Sequence, residues 1–197
     1  MLELAARLPL IGRHNASNAA AAAAAALAVG IGEGAILDGL AHAKPAKHRA
    51  QLVDVGGDRT VLDDCYNAAP PSMKAALDAL VEITPAGAQK IAVLGDMLEL
   101  GTDSAKLHAE IGAYAAARVD LLIAIGPNAR AIDEAARPTL GVRAWHTDDP
   151  LAAAARVREL SRAGDVILVK ASRGMRLERV IDALMEPLTD LAKPEAH

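Results

Sequence analysis

Phenylalanine is absent from this 197-residue chain, and Trp and Tyr bring the aromatic content to only 2%. A core must therefore be built from Leu, Ile, Val and Ala, which suits helices packed closely on a sheet. Hydrophobic residues, at 52%, supply enough material for it. Cysteine occurs once, at Cys65, which excludes an intrachain disulfide and fits a reducing, cytoplasmic setting. A basic excess is missing too. The formal charge of −4 and pI near 5.9 argue against a general nucleic-acid binder, which needs a basic face. No apolar run reaches the roughly eighteen residues that a membrane span requires. The uncharged stretch Ala19–Gly32 is shorter than that, and its alanines make it only mildly hydrophobic. Arg7 and Arg13 precede it as the basic start of a signal peptide would, but Glu3, Asn15 and Asn18 are poor company for one.

Several chemical signatures are also lacking. No GxxxxGK[ST] occurs, so no loop in the sequence is made to cradle the β- and γ-phosphates of ATP. The histidines (His14, His42, His48, His108, His146 and His197) show no metal-ligand spacing, and no metal site is expected. Cys65 has no CxxC partner and reads as a small packed residue rather than a nucleophile. Gly30-x-Gly32-x-Gly34 is not a dinucleotide fingerprint, because it lies between two helical patterns and follows no strand.

What is present divides at a proline. Residues 1–46 read as helical: Asn18 can cap a helix that runs through the alanine block to Val29. Gly30, Gly32 and Gly34 then break it. A second helix, about Glu33 to Ala43, carries Ile36, Leu37 and Leu40 at core-facing spacing, and Pro45 ends this part. From Arg49 the pattern alternates. Strands are expected at Gln51–Val55 and Thr60–Asp64, joined by a Gly56-Gly57-Asp58 turn, then at Ile91–Leu94, Leu121–Ile125, Val142–Trp145 and Val166–Val169. Helices between them are marked by Met73, Ala76, Leu77, Leu80 and Val81, then by Leu107, Ile111 and Tyr114. The next opens at Pro127 and contains Ile132, Ala135 and Ala136. Asp148-Asp149-Pro150 starts another, and Leu177, Val180, Ile181 and Leu184 line the last. This alternation predicts an α/β fold, a mostly parallel, doubly wound (Rossmann-like) sheet preceded by a short helical segment. The tail from Pro187 is expected to fray.

Ligands of an open parallel sheet bind at the carboxyl ends of its strands. Three loops there carry polar residues: Asp64–Asn67, Gly95–Gly101 and Lys170–Gly174. In Val61–Met73 (VLDDCYNAAPPSM) a strand delivers Asp63 and Asp64, then Asn67, just before prolines that open a helix. A carboxylate can accept from ribose hydroxyls, and the helix terminus offers free N–H groups to an anion. The same residues can equally serve the turn and cap the helix. Lys170 and Arg173 can pair with phosphate or carboxylate groups, or stand in a solvated loop.

Taken with VLGDMLELG at Val93–Gly101, that segment resembles the Mur ligases of bacterial cell-wall synthesis. It most resembles members that join D-alanyl-D-alanine to UDP-N-acetylmuramoyl-tripeptide in peptidoglycan precursor synthesis. The resemblance covers nearly the whole chain, with the motifs in the family's order, and it implies site residues. Gly12-Arg13-His14-Asn15-x-x-Asn18 resembles the segment that meets the adenine of ATP, with Asn18 foremost and His14 and Asn15 as helpers. Arg49 resembles the linker arginine that reaches the nucleotide, although Lys47-His48-Arg49 stands where relatives often carry Pro-Gly-Arg. Asp64 matches the ribose-binding acid, with Asn67 near the phosphates; Cys65 replaces a common serine. Lys170-Ala171-Ser172-Arg173 resembles the family's Lys-Gly-Ser-Arg loop, which implies substrate contacts by Lys170, Ser172 and Arg173. Glu178 and His108 also match family positions, but their residue patterns read as helix surface.

The resemblance further implies that residues 1–46 are the last helices of a central ATP-binding domain and 47–197 a C-terminal domain. ATP and Mg2+ are the implied cofactors, with the phosphate loop and magnesium ligands expected in preceding domains absent from this chain. No catalytic residue is expected here, and the chain alone is expected to be inactive. The implied reaction has two steps: ATP phosphorylates the tripeptide carboxylate, then the dipeptide amine displaces phosphate. Two other readings stay open, a ligase adding another amino acid (a folylpolyglutamate synthetase included) and a nucleotide-binding module that never catalyses.

Overall fold

The structure, a computed structural model, describes residues 5–186. Two helices come first, α1 (His14–Ala28) and α2 (Glu33–Ala41). Alanine dominates α1 and is the best helix former. Gly12, at φ +91°, turns the chain into this helix early, so Asn15 N–H bonds Gly12 C=O at 3.0 Å. Asn18 therefore lies inside α1 and does not cap it; its amide donates to Asn15 Oδ1 at 3.1 Å. At the far end Gly30 N–H reaches Leu27 C=O and Ile31 N–H reaches Ala26 C=O, each at 3.0 Å, which closes the helix as a Schellman turn. Gly34 occupies the first turn of α2, inside the expected second helix. The two helices bury only Ala23 and Ile36 fully among the described residues; Leu37 and Leu40 are half-buried.

The remainder is an α/β unit. Its strands are β1 (Gln51–Asp54), β2 (Thr60–Asp63), β3 (Lys90–Gly95), β4 (Leu121–Ile125), β5 (Ala144–Thr147) and β6 (Val166–Lys170), in sheet order β1-β2-β6-β3-β4-β5. β1 and β2 pair antiparallel; every other neighbouring pair is parallel. Alternate side chains of each strand enter opposite cores. Ala92, Leu94, Leu122 and Leu168 pack under α3 (Pro70–Ile83), α4 (Ser104–Ala116) and α5 (Arg130–Leu140). Ile91, Val93, Ile123, Ile167 and Val169 pack under α6 (Pro150–Leu160) and α7 (Glu178–Met185). The expected doubly wound, mostly parallel sheet is what forms. Burying each such Leu, Ile or Val contributes about 1.5–3 kcal/mol, so the central strands hold the scaffold rigid.

Local differences have physical causes. Pro127 sits in a turn and α5 begins only at Arg130, because the end of β4 must first rise past Gly126 at φ +111°. Val142 is 89% exposed ahead of β5, and Val81 lies on the outer side of α3 at 43%. The tail expected to fray from Pro187 lies outside the described residues. One feature of the order matters most for the site. β2, β6 and β3 are neighbours, so the loops leaving their carboxyl ends converge.

Candidate functional site

A cleft of about 470 Å³ opens between α1, the linker after α2 and the carboxyl end of β2. His14, Asn15 and Asn18, one turn of α1, form one wall. The linker contributes Lys44, Pro45, Ala46 and Arg49, and the β2 loop contributes Asp64, Tyr66 and Asn67. Lys170, the last residue of β6, completes the lining from below. Thus seven residues singled out from four separate sequence segments face one cleft. Ser172 and Arg173 are not part of its lining.

The sequence leaves Lys170 either pairing with a ligand's phosphate or carboxylate or standing in a solvated loop. Lys170 is instead 2% exposed, and its ammonium donates to Asp64 Oδ2 at 2.6 Å and Asn67 C=O at 2.9 Å. The cause is its place at the end of a central strand, which runs the stem beneath the β2 loop. Asp64 also accepts the Ala50 N–H through Oδ1 at 3.1 Å, while remaining partly open to the cleft. Asn67 Oδ1 accepts the Ala68 N–H at 2.9 Å, and α3 is capped at Ala69, where Ser72 Oγ accepts the Ala69 N–H at 3.0 Å. Neither Asp64 nor Asn67 caps that helix. Arg49 is exposed, with its guanidinium 4.3 Å over the Tyr66 ring.

Behind the cleft, Asp63 is buried and joins three groups. Oδ2 pairs with His48 Nδ1 at 2.7 Å, and Oδ1 accepts from the Cys65 thiol at 3.1 Å and the Cys65 N–H at 3.3 Å. Burial first of all, then the hydrogen bond to Asp63 and the charges of Asp63 and Glu178, push the Cys65 thiol far up, so it keeps its proton. His48, Asp63 and Cys65 bring possible ligand atoms within 4.8 Å of one another, which sequence spacing did not signal. Their polar atoms are already engaged with one another, so the geometry does not call for an ion.

The other two converging loops are bound to each other. Asp96 is 2% exposed, and its carboxylate accepts Ala129 N–H at 2.7 Å and Asn128 Nδ2 at 3.0 Å. Met97 N–H donates to His108 Nε2 at 2.9 Å, and Leu98 N–H to Ser172 Oγ at 2.9 Å. Ser172 N–H returns to Asp96 C=O at 3.0 Å. A Cβ at Gly95 would sit 2.7 Å from the Ala171 Cβ, so only glycine permits this approach.

Three expectations are corrected here. His108 is fully buried rather than on the helix surface, because α4 packs its face on the Gly95–Gly101 loop; its Nδ1 lies 2.7 Å from Ser104 C=O and carries the proton. Ser172, expected to touch substrate, is 5% exposed and its hydroxyl is committed to Leu98 N–H and, at 3.4 Å, Ala68 C=O. Glu178 is not a surface acid: its Oε1 pairs with Arg173 at 3.1 Å, and its Oε2 is buried without a partner. Arg173 itself is half exposed.

The family model described as "Mur ligase, glutamate ligase domain" matches residues 48–173. The chain belongs to the Mur ligase family. It is 36% identical over 181 residues to the UDP-N-acetylmuramoyl-tripeptide--D-alanyl-D-alanine ligase of Bacillus subtilis, covering 91% of this chain and 39% of that protein. With the Escherichia coli protein of the same name identity is 39% over 182 residues, covering 91% and 38%. Among solved structures, MurF from Acinetobacter baumannii aligns with TM-score 0.81 and 32% identity, over 92% of this chain and 39% of that one. MurF ligase from Thermotoga maritima, solved in complex with ADP, aligns with TM-score 0.65 and 30% identity, over 76% and 33%. The chain thus spans less than two fifths of the length of these relatives.

Proposed function

We propose that this chain supplies the nucleotide-closing part of a cytoplasmic, ATP-dependent ligase that adds D-alanyl-D-alanine to UDP-N-acetylmuramoyl-tripeptide. In this reading residues 1–46 complete a central ATP-binding domain, and residues 47–197 form the C-terminal domain. The match of the family model from residue 48 supports that division. The observation that carries the reading is the single cleft lined by His14, Asn15, Asn18, Arg49, Asp64 and Asn67. Asn15 and Asn18 offer amide groups suited to a base edge. Asp64, partly open, offers a carboxylate to ribose hydroxyls, and Arg49 and Asn67 offer a guanidinium and an amide to the phosphates. The names of the relatives support the dipeptide and the tripeptide as substrates, and the ADP complex of one supports the nucleotide.

ATP supplies the phosphoryl group that activates the tripeptide carboxylate for attack by the dipeptide amine. The residues of this chain bind and orient the nucleotide and exclude water from the activated carboxylate. Among the described residues none fit Mg2+. Asp64 is already paired with Lys170, and the His48–Asp63–Cys65 group contains a thiol, a soft ligand for a hard cation. Arg173, half exposed beside the converging loops, can grip the dipeptide carboxylate through two parallel hydrogen bonds.

A chimera tests this. The C-terminal part of the Bacillus subtilis ligase is replaced by this chain over the aligned region, and UDP-muramoyl-pentapeptide formation is followed by mass spectrometry. Product that depends on D-alanyl-D-alanine, and that falls when Asp64 or Arg173 is replaced by Ala, supports the reading. A folded chimera that binds ATP but accepts a single amino acid in place of the dipeptide would overturn the substrate assignment.

A further inference from the structure

Arg49 stands between two residues in left-handed backbone, His48 at φ +59° and Ala50 at φ +49°. Side-chain-bearing residues adopt that region at a cost, and persist there only when neighbours enforce it. Here the enforcement is visible on both sides. Asp64 Oδ1 accepts the Ala50 N–H at 3.1 Å, while Asp63 Oδ2 meets His48 Nδ1 at 2.7 Å. The consecutive acids at the end of β2 thus grip the residues that flank Arg49. His48 is further tied by its N–H to Gln51 Oε1 at 3.0 Å and by its C=O to Tyr66 N–H at 3.1 Å. Tyr66 in turn supports the Arg49 guanidinium at 4.3 Å. The His48–Asp63 contact is largely shielded, with side-chain exposures of 15% and 6%.

We propose that His48 is a positioning residue: anchored on Asp63, it fixes the linker so that Arg49 rests on Tyr66 and faces the nucleotide cleft before ligand arrives. The proposal rests on the reading of that cleft as a nucleotide site. An exposed arginine has many rotamers to lose on binding, so holding it in advance raises affinity without adding a ligand contact. His48 itself is not in the lining of the cleft.

The test uses the full 197-residue chain, ADP as probe, and NMR to follow both binding and the Arg49 Nε–Hε resonance, which the Tyr66 ring shifts. His48→Gly relaxes the backbone demand but removes the anchor, and His48→Ala removes the anchor while keeping the demand. Both should weaken ADP binding by about three- to tenfold and erase the ring shift at Arg49. His48→Asn should restore most of both. Its amide nitrogen stands where Nδ1 stood, and asparagine tolerates left-handed backbone. If His48→Ala fails to fold, the glycine and asparagine variants decide. Arg49→Ala sets the scale. If it weakens ADP binding while His48→Gly does not, the positioning role is overturned and the nucleotide reading stands. If Arg49→Ala binds ADP like the unaltered chain, the nucleotide reading fails at Arg49. The ring shift then decides the positioning role alone, since its persistence in His48→Gly overturns that role and its loss supports it.

Discussion

The ammonium of Lys170 lies 2.6 Å from Oδ2 of Asp64, which joins the end of β6 to the end of β2 directly beneath the cleft. Lys170 is 2% exposed, so its partner cannot be removed without leaving a buried charge. Asp64→Ala should therefore destabilise the chain by about 3 kcal/mol, the scale for breaking a buried ion pair. Lys170→Met should cost less, about 1–2 kcal/mol, because Asp64 keeps the Ala50 N–H and some access to water. The double variant should be more stable than Asp64→Ala alone. Urea unfolding of the three variants measures this; strictly additive losses would show that the pair is not coupled.

Much of this arrangement was legible beforehand. The apolar runs at β3, β4 and β6 declared strands, and the strand-end rule placed three loops at one end of the sheet. Sequence spacing could not give the order β2-β6-β3, which is what makes those loops meet. Nor could it tell that Lys170 would be buried, since its hydrophobic neighbours are shared by loops that end in solvent. Asn18 was misplaced for a different reason. Its side chain is a good cap, but Gly12 admits a left-handed turn that starts the helix earlier. The backbone of His48 carried only an indirect signal: relatives often carry glycine at that place, but nothing in Lys47-His48-Arg49 itself demands a positive φ.

His108 holds the Gly95–Gly101 loop through a neutral ring, with Nδ1 facing Ser104 C=O and Nε2 accepting Met97 N–H. The 15N spectrum of the neutral ring should show a pyrrole-like Nδ1 and a pyridine-like Nε2. His108→Ala leaves the Met97 N–H without its acceptor and opens a cavity, so it should cost about 2–4 kcal/mol. His108→Gln, which keeps an acceptor, should cost less. An Nε2-protonated ring, or an alanine variant as stable as the parent, would remove this role.

Cys65 is fully buried and its thiol is pushed well above the ordinary value of 9.0. The native protein should resist thiol reagents at pH 8, and labelling should track unfolding by denaturant. The folded state holds the thiol proton where the unfolded chain would lose it. Its contribution is therefore fully present below about pH 9 and declines as pH rises beyond that value. Cys65→Ser should flatten this alkaline limb, because serine has no proton to lose there. Rapid labelling of the native chain would contradict the burial and the Asp63 hydrogen bond.

The cleft between α1, the linker and β2 is tested most directly by mapping ADP onto the 15N-labelled chain. Binding should shift the resonances of His14, Asn15, Asn18, Ala50, Asp64 and Asn67 together, with one saturation curve. Asp64→Ala should weaken that curve about tenfold or more, the loss of a charge-assisted hydrogen bond. Shifts centred instead on Asp96 and Asn128, or none at millimolar ADP in a folded chain, would contradict a nucleotide site in this cleft.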